Sequence, residues 1–312
     1  MSFKILSIDG GGIKGVFPAA FLAAVEARIN ARVVDYFDFI TGTSAGGIVA
    51  LGLGLGKSAV ELRDFYVRLG PKVFRGGWVS RLRHLSFSKY NPKALQTALV
   101  EVFGACRLGE SKTRLMIPAL NRDTGDVYIY KTSHHPRLSF DYLRPAVEVA
   151  MATAAAPSYF PAHVSAGSVP LIDGGMWANN PAVFAVIEAM GMCGQLATDI
   201  EVLSLGCTET ALDVTPGLFS GIGYWALKAR DVFMAGQSSS SLGAAKILLG
   251  DARKIVRISP VAPAGRYSID GDCGISSLIG LGEAFARKEF PAIEDRFFKI
   301  RAQGFVPHHK LA

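Results

Sequence analysis

The sequence predicts an α/β protein, a three-layer α/β/α sandwich around a largely parallel sheet. Three observations carry that prediction. Apolar runs of strand length recur at 3–8, 38–40, 169–172 and 200–205; apolar stretches of helix length follow the first two directly; and three of the runs end in glycine-bearing turns, Asp9–Gly15, Gly42–Gly46 and Asp173–Gly175. Continuous apolar strands alternating with helices read as a parallel sheet covered on both faces, whose carboxyl edge collects the functional groups.

Taken in order, Phe3–Ile8 is a buried strand, and an apolar helix runs from about Val16 to Arg32. After the second turn a helix extends to about Gly56. Ser58-Ala-Val-Glu61 is a capping box opening a helix to about Leu69, and Asn91-Pro92 opens another to about Phe103. Segments 113–119 and 127–132 form a hairpin through Asp123–Asp126. Pro145 starts a helix that Pro157 stops, and Asn180-Pro181 starts one reaching Met192. The remainder reads as helices over about 217–235, 239–249 and 276–300 around a strand at 254–258, with loops at 238–241 and 260–265. No linker or repeat divides the chain, so 1–312 is expected to form one domain, with a motif-bearing core at about 3–205 and a helical part at about 216–302.

Composition narrows the class. With 312 residues, 50% of them hydrophobic, the chain can bury a large core. Mean hydropathy is +0.29, yet no uninterrupted apolar run reaches the about 18 residues of a membrane span. Met1–Lys4 leads straight into a strand without a signal-peptide core, so a cytoplasmic protein is expected. Cys106, Cys193, Cys207 and Cys273 show no metal-ligand spacing and read as buried free thiols; no metal is expected. The formal net charge is +7, concentrated between Asp64 and Glu101, where Arg68, Lys72, Arg75, Arg81, Arg83, Lys89 and Lys93 occur without an acidic residue. Apolar residues interleave there (Phe74, Trp78, Phe87), which suits a membrane surface, a phosphate-bearing ligand or nucleic acid as well as an ordinary solvated face.

The chemistry centres on Gly42-Thr43-Ser44-Ala45-Gly46, a Gly-x-Ser-x-Gly turn between strand and helix. Such an elbow presents a serine at the sheet edge beside a helix N-terminus, although a serine that only caps the helix gives the same string. The Gly10–Gly15 loop has two readings. Gly10, Gly12 and Gly15 match the dinucleotide-binding Gly-x-Gly-x-x-Gly, and Asp35 lies about 20 residues further on, as a Rossmann-type nucleotide-binding enzyme requires. Against that, Asp9 would face a pyrophosphate, and Asp35–Asp38 feeds the strand of the serine elbow. An oxyanion hole is the better reading. A base for the serine is harder to find among the histidines. His163 precedes Asp173 in an Ala/Pro-rich setting, and His308 and His309 stand in a terminal tail expected to be mobile. Asp173, between a strand and two glycines, can act as base directly if burial raises its pKa.

The three turns together, with Ala152-Thr-Ala-Ala-Ala-Pro157-Ser-Tyr-Phe160-Pro161, resemble the patatin-like phospholipase family from Phe3 to about Pro181. The resemblance implies Ser44 as nucleophile and Asp173 as its partner in a Ser–Asp dyad. It implies an oxyanion hole in the loop of Gly10, Gly11, Gly12, Lys14 and Gly15, with Gly11 and Gly12 as the donors. Gly42 and Gly46 shape the elbow, and Gly174 and Gly175 the aspartate loop; Gly175 stands where many relatives have alanine. The implied activity is hydrolysis of fatty-acyl esters of membrane phospholipids, with no cofactor and no metal. Lys4–Gly15, the short length and Tyr90-Asn91-Pro92 look more like the bacterial patatin effectors of anti-phage defence (CBASS), which a cyclic dinucleotide switches on. That implies a phospholipid membrane and a cyclic dinucleotide as partners, no nucleic-acid polymer, and action at the inner face of the membrane. Arg75, Arg81, Arg83 and Lys89 are then candidates for nucleotide or membrane contact. A constitutive lipid acyl hydrolase is the alternative, and oligomeric state stays open.

Overall fold

The computed structural model describes residues 2–73, 88–165, 167–210, 221–263, 266–267 and 274–311. Its centre is an eight-stranded sheet of β1 (Phe3–Ile8), β2 (Phe39–Gly42), β3 (Arg114–Asn121), β4 (Val127–Lys131), β5 (His163–Val164), β6 (Pro170–Asp173), β7 (Ile200–Leu205) and, after a two-residue strand β8 (Glu209–Thr210), β9 (Ile255–Ile258). The order is β5-β6-β3-β2-β1-β7-β9, with β4 paired to β3. Strands β9, β7, β1, β2 and β3 are parallel; β4 and β6 run antiparallel to β3.

The alternation of side chains along each strand builds two cores. Leu6, Ile8, Ile40, Leu115, Ile117 and Leu203 face α1 (Val16–Ile29), α2 (Ala45–Gly54), α3 (Ala59–Val73), α4 (Pro92–Phe103) and α5 (Ala146–Thr153). Phe3, Ile5, Phe39, Met116, Ile200 and Val202 face the other way. There, beyond the single turn α6 (Gly175–Ala178), lie α7 (Ala182–Gly191) and the end of α8 (Ile222–Leu249). The last helix, α9 (Ile275–Ile293), returns to the first face and packs on α1, where Phe17 meets Phe285 edge-on at 6.0 Å. This is the expected three-layer sandwich.

The register explains how the site forms. β2 pairs with Arg114–Met116 of β3, whereas β6 pairs with Ala119–Asn121. Because β4 spans Met116–Leu120 on β3's opposite edge, β2 and β6 must share one edge and approach each other end to end. Ser44 leaves the end of β2 as Asp173 ends β6, and Pro118 of β3 lies in the gap.

Several expectations need correction. The loop expected at 238–241 lies inside one continuous helix, α8. Gln237 Oε1 accepts the Asn179 N–H at 2.7 Å, Ser241 Oγ donates to the Asn180 carbonyl at 2.8 Å, and Ser238 Oγ accepts from Asn180 Nδ2 at 3.2 Å. These tertiary bonds outweigh the weak helix preference of a serine run. Helix α1 stops at Ile29 rather than Arg32, because Asn30 takes a left-handed conformation at φ 49°. Capping by Ser58 and Glu61 holds, but α3 continues through Gly70-Pro71 to Val73. Val261–Ala262, expected in a loop, forms β10 against β8. The terminal tail is tied down: His308 and His309 donate backbone N–H groups to Ser133, and the His309 ring stacks on Tyr142. Of the cysteines, Cys207 is buried, but Cys106 and Cys193 are half-buried; Cys273 lies outside the described residues.

Candidate active site

The elbow is a tight crossing of backbone. A Cβ on Gly42 would lie 2.2 Å from the Gly46 carbonyl oxygen, and one on Gly46 would lie 2.4 Å from that of Ile8. Only hydrogens fit, so β2 can turn directly into α2 against the end of β1. Between them Ser44 adopts φ 54°, ψ −120°, a left-handed conformation that costs about 1–3 kcal/mol for a side-chain-bearing residue. Its surroundings hold it there. The Ser44 N–H donates to Thr153 Oγ1 at 3.0 Å, Thr153 Oγ1 donates to the Pro118 carbonyl at 2.6 Å, and Thr43 Oγ1 donates to the Ala178 carbonyl at 2.6 Å.

Ser44 Oγ then donates to Asp173 Oδ2 at 2.6 Å. The other carboxylate oxygen accepts the Gly175 N–H at 2.6 Å, and the Asp173 N–H is held by the Ala155 carbonyl at 3.0 Å. Asp173 is buried, and burial pushes its pKa up to about 6, against the smaller pull of the Ser44 and Gly175 hydrogen bonds. At neutral pH it is therefore ionised yet a stronger base than an exposed carboxylate. Among the described residues no histidine lines the Ser44 pocket; His163 sits on β5, and His134 is buried beside Glu188 at 3.0 Å.

The pocket encloses about 170 Å³ and is walled mainly by Ile48, Leu95, Pro157, Tyr159, Phe160, Met176 and Met234. Ser44, Asp173, Gly11 and Gly12 form its polar end. Gly12 has φ 59°, which turns the loop from β1 towards Ser44. Gly10 is spent differently: its N–H donates to the Asn179 carbonyl at 3.0 Å, which removes it as an oxyanion donor. Lys14 Nζ donates to the Thr208 carbonyl at 3.2 Å, and Gly15 is pressed against Ala45 and Tyr66, so these two residues brace the loop. Gly174 packs on the Pro118 carbonyl. Lys89 lies over the Tyr90 and Tyr159 rings at 5.3 and 5.7 Å, beside the pocket wall. Arg75, Arg81 and Arg83 lie outside the described residues.

Four contributors were not singled out from the sequence. Thr153 and Tyr66 fix the elbow from outside, Tyr66 by donating its hydroxyl to the Ala45 carbonyl at 2.6 Å. Asn179 joins the glycine loop to α8. Arg257 on β9 holds Asp9 through Nη1–Oδ1 at 3.0 Å and Nη2–Oδ2 at 2.6 Å. That bidentate pair answers the Rossmann reading: the acid beside the first glycine anchors the loop to β9. No group of three or more His, Cys, Asp or Glu among the described residues is arranged to hold a metal ion.

A family model for patatin-like phospholipase matches residues 6–186, which include the glycine loop, Ser44, Thr153 and Asp173. The chain belongs to the patatin-like phospholipase family. It is accordingly a lipid ester hydrolase. A cGAMP-activated phospholipase from Vibrio cholerae serotype O1 is 31% identical to it, over 97% of this chain and 96% of the relative. Another cGAMP-activated phospholipase, from Pseudomonas aeruginosa, is 34% identical over 77% of this chain and 73% of its own. Among solved structures, VipD from Legionella pneumophila superposes with a TM-score of 0.50 over 93% of this chain and 67% of its own at 11% identity, a likeness of fold.

Proposed function

We propose that the protein removes fatty-acyl chains from membrane phospholipids through a Ser44–Asp173 dyad. The observation that carries this reading is the 2.6 Å contact from Ser44 Oγ to a buried carboxylate oxygen, at the end of an acyl-sized apolar pocket. As Ser44 Oγ attacks the acyl carbonyl carbon, Asp173 Oδ2 takes the hydroxyl proton, and the carbonyl oxygen becomes an oxyanion facing the Gly11 and Gly12 amides. When the tetrahedral species collapses, the bond to the lysophospholipid oxygen breaks and Asp173 returns its proton to that leaving group. Water then attacks the acyl-serine, Asp173 accepts its proton, and Ser44 recovers it as the fatty acid departs.

A cyclic dinucleotide switches this activity on in our reading, supported by the relatives named for activation by cGAMP. The cationic segment containing Arg75, Arg81 and Arg83, with Lys89, is the proposed phosphate- or membrane-contacting region. Among the described residues no helix is long and apolar enough to cross a membrane; work from the inner face of the bilayer is part of the proposal.

The test is release of free fatty acid from phosphatidylethanolamine–phosphatidylglycerol vesicles by wild type and Ser44→Ala, with and without a panel of cyclic dinucleotides. Release by wild type alone, and with one nucleotide alone, is the expected result. Release without nucleotide would leave a constitutive hydrolase, and equal release by both proteins would remove Ser44 from the mechanism.

A further inference from the structure

Helix α8 is anchored on the sheet at its end and leaves it at its beginning. Ala245 and Leu249 are buried with Ile200 and Ile255, where β7 and β9 start. Towards its N-terminus, Ser238 and Gln237 reach Arg257 and Asn179, and Met234 faces the Ser44 pocket. The helix thus runs antiparallel to the strands and passes the carboxyl edge that holds Ser44. Trp225 precedes Met234 by two and a half turns, which carries it about 13 Å beyond the pocket.

The part that projects is apolar on its outside. Trp225 is 43% and Phe233 54% exposed, and the Tyr224 ring meets Trp225 edge-on at 5.7 Å. Ala229, Gly236 and Ser240 continue the same exposed stripe at helical spacing, and none of these residues is charged. Lys228 and Lys246 share one flank of it by the same periodicity. At the rim of the pocket Met176 is 44% exposed while also lining the cavity. An uncharged stripe carrying a Trp and a Phe, edged by Lys228 and facing away from the side of the helix that carries Met234, has the make-up of a helix that lies in the headgroup boundary of a bilayer.

Resting on the lipid-hydrolase reading above, we propose that the N-terminal part of α8, led by Trp225 and Phe233, docks on an anionic membrane and so holds the Ser44 pocket at the lipid surface. The chain's net charge of +7 draws it to such a surface, and Lys228, on the flank of the stripe, keeps its ammonium group at headgroup level.

Docking is read separately from chemistry by co-flotation with phosphatidylethanolamine–phosphatidylglycerol vesicles, using Ser44→Ala protein so that the lipid stays intact, with cyclic GMP–AMP present throughout. Adding Trp225→Ser and Phe233→Ser is expected to lower the bound fraction about tenfold or more. In protein that keeps Ser44, the same pair lowers vesicle hydrolysis to match, while hydrolysis of the monomeric ester 4-nitrophenyl butyrate stays within about twofold of wild type. Trp225→Phe with Phe233→Leu retains binding. Unchanged flotation of the serine pair would overturn the proposal. So would sedimentation in which that pair splits a dimer while vesicle binding persists, since the stripe would then belong to a second copy. If wild type fails on the monomeric ester, the hydrolase reading falls by itself and flotation still decides the docking.

Discussion

Two aspartates stand at the carboxyl ends of strands in this sheet, each followed by two glycines and each buried. Asp9 ends β1 and Asp173 ends β6. Their partners differ. Asp9 receives both outer nitrogens of Arg257, which also reaches Ser204 at 2.9 Å and Glu209 at 2.9 Å. Among the described residues Asp173 receives one hydroxyl and one backbone N–H, with no cation among its hydrogen-bond partners. Burial raises the pKa of both carboxylates, but the guanidinium opposes it at Asp9 and fixes that group as a brace for the glycine loop, whereas only hydrogen bonds from Ser44 and Gly175 oppose it at Asp173. In the proposed mechanism the same tripeptide thus serves structure in one place and proton transfer in the other, and what distinguishes them is a residue on a distant strand.

The contrast breaks most visibly at Arg257. Arg257→Met leaves Asp9 buried without its cation, and we expect a loss of about 3–5 kcal/mol in urea unfolding, partly restored by adding Asp9→Asn. A loss below about 1 kcal/mol would mean that the pair does not hold the loop.

Next in size is the pH response of Asp173. Its folded pKa of about 6 lies above the ordinary 3.8, so the native state holds the proton more tightly than the unfolded chain. The contribution of Asp173 to stability is therefore greatest below pH 4 and declines through pH 4–6, by about 3 kcal/mol in all. The difference in stability between wild type and Asp173→Asn should follow that slope. Hydrolysis needs the ionised form and rises over the same interval, so the two profiles run in opposite directions. Parallel profiles would show that another group is titrating.

The smallest effect is at Thr153, the fully buried hydroxyl that takes the Ser44 N–H. Thr153→Val removes that acceptor at a cost of about 1–3 kcal/mol and is expected to lower kcat about tenfold with KM nearly unchanged. An equal change in both constants would indicate damage to the acyl pocket instead.

The residues that were legible in the sequence act through local geometry. The Gly42–Gly46 elbow, the glycine loop and Asp173 are each written in a few consecutive residues, because a sharp turn at a strand end demands small neighbours. Arg257 was not legible, since a lone arginine in a short strand looks like any surface cation until β9 is placed beside β7 and β1. Thr153 had a faint signal, a hydroxyl within an alanine run, but its role depends on the end-to-end meeting of β2 and β6. The serine run in α8 misled for a related reason: weak local preference was overruled by bonds to Asn179 and Asn180. Gly10 shows the same limit within a motif, for its amide is claimed by a partner far along the chain.

In the proposed mechanism Asp173 activates Ser44 directly. This activation is tested by the rate at which a fluorophosphonate labels the protein, followed by intact mass and peptide mapping across pH 4–8 for wild type and Asp173→Asn. The expected result is a single adduct on Ser44, with a wild-type rate that rises through about pH 6 and falls at least about a thousandfold in Asp173→Asn. Labelling of Asp173→Asn at the wild-type rate, or an adduct on another residue, would contradict it.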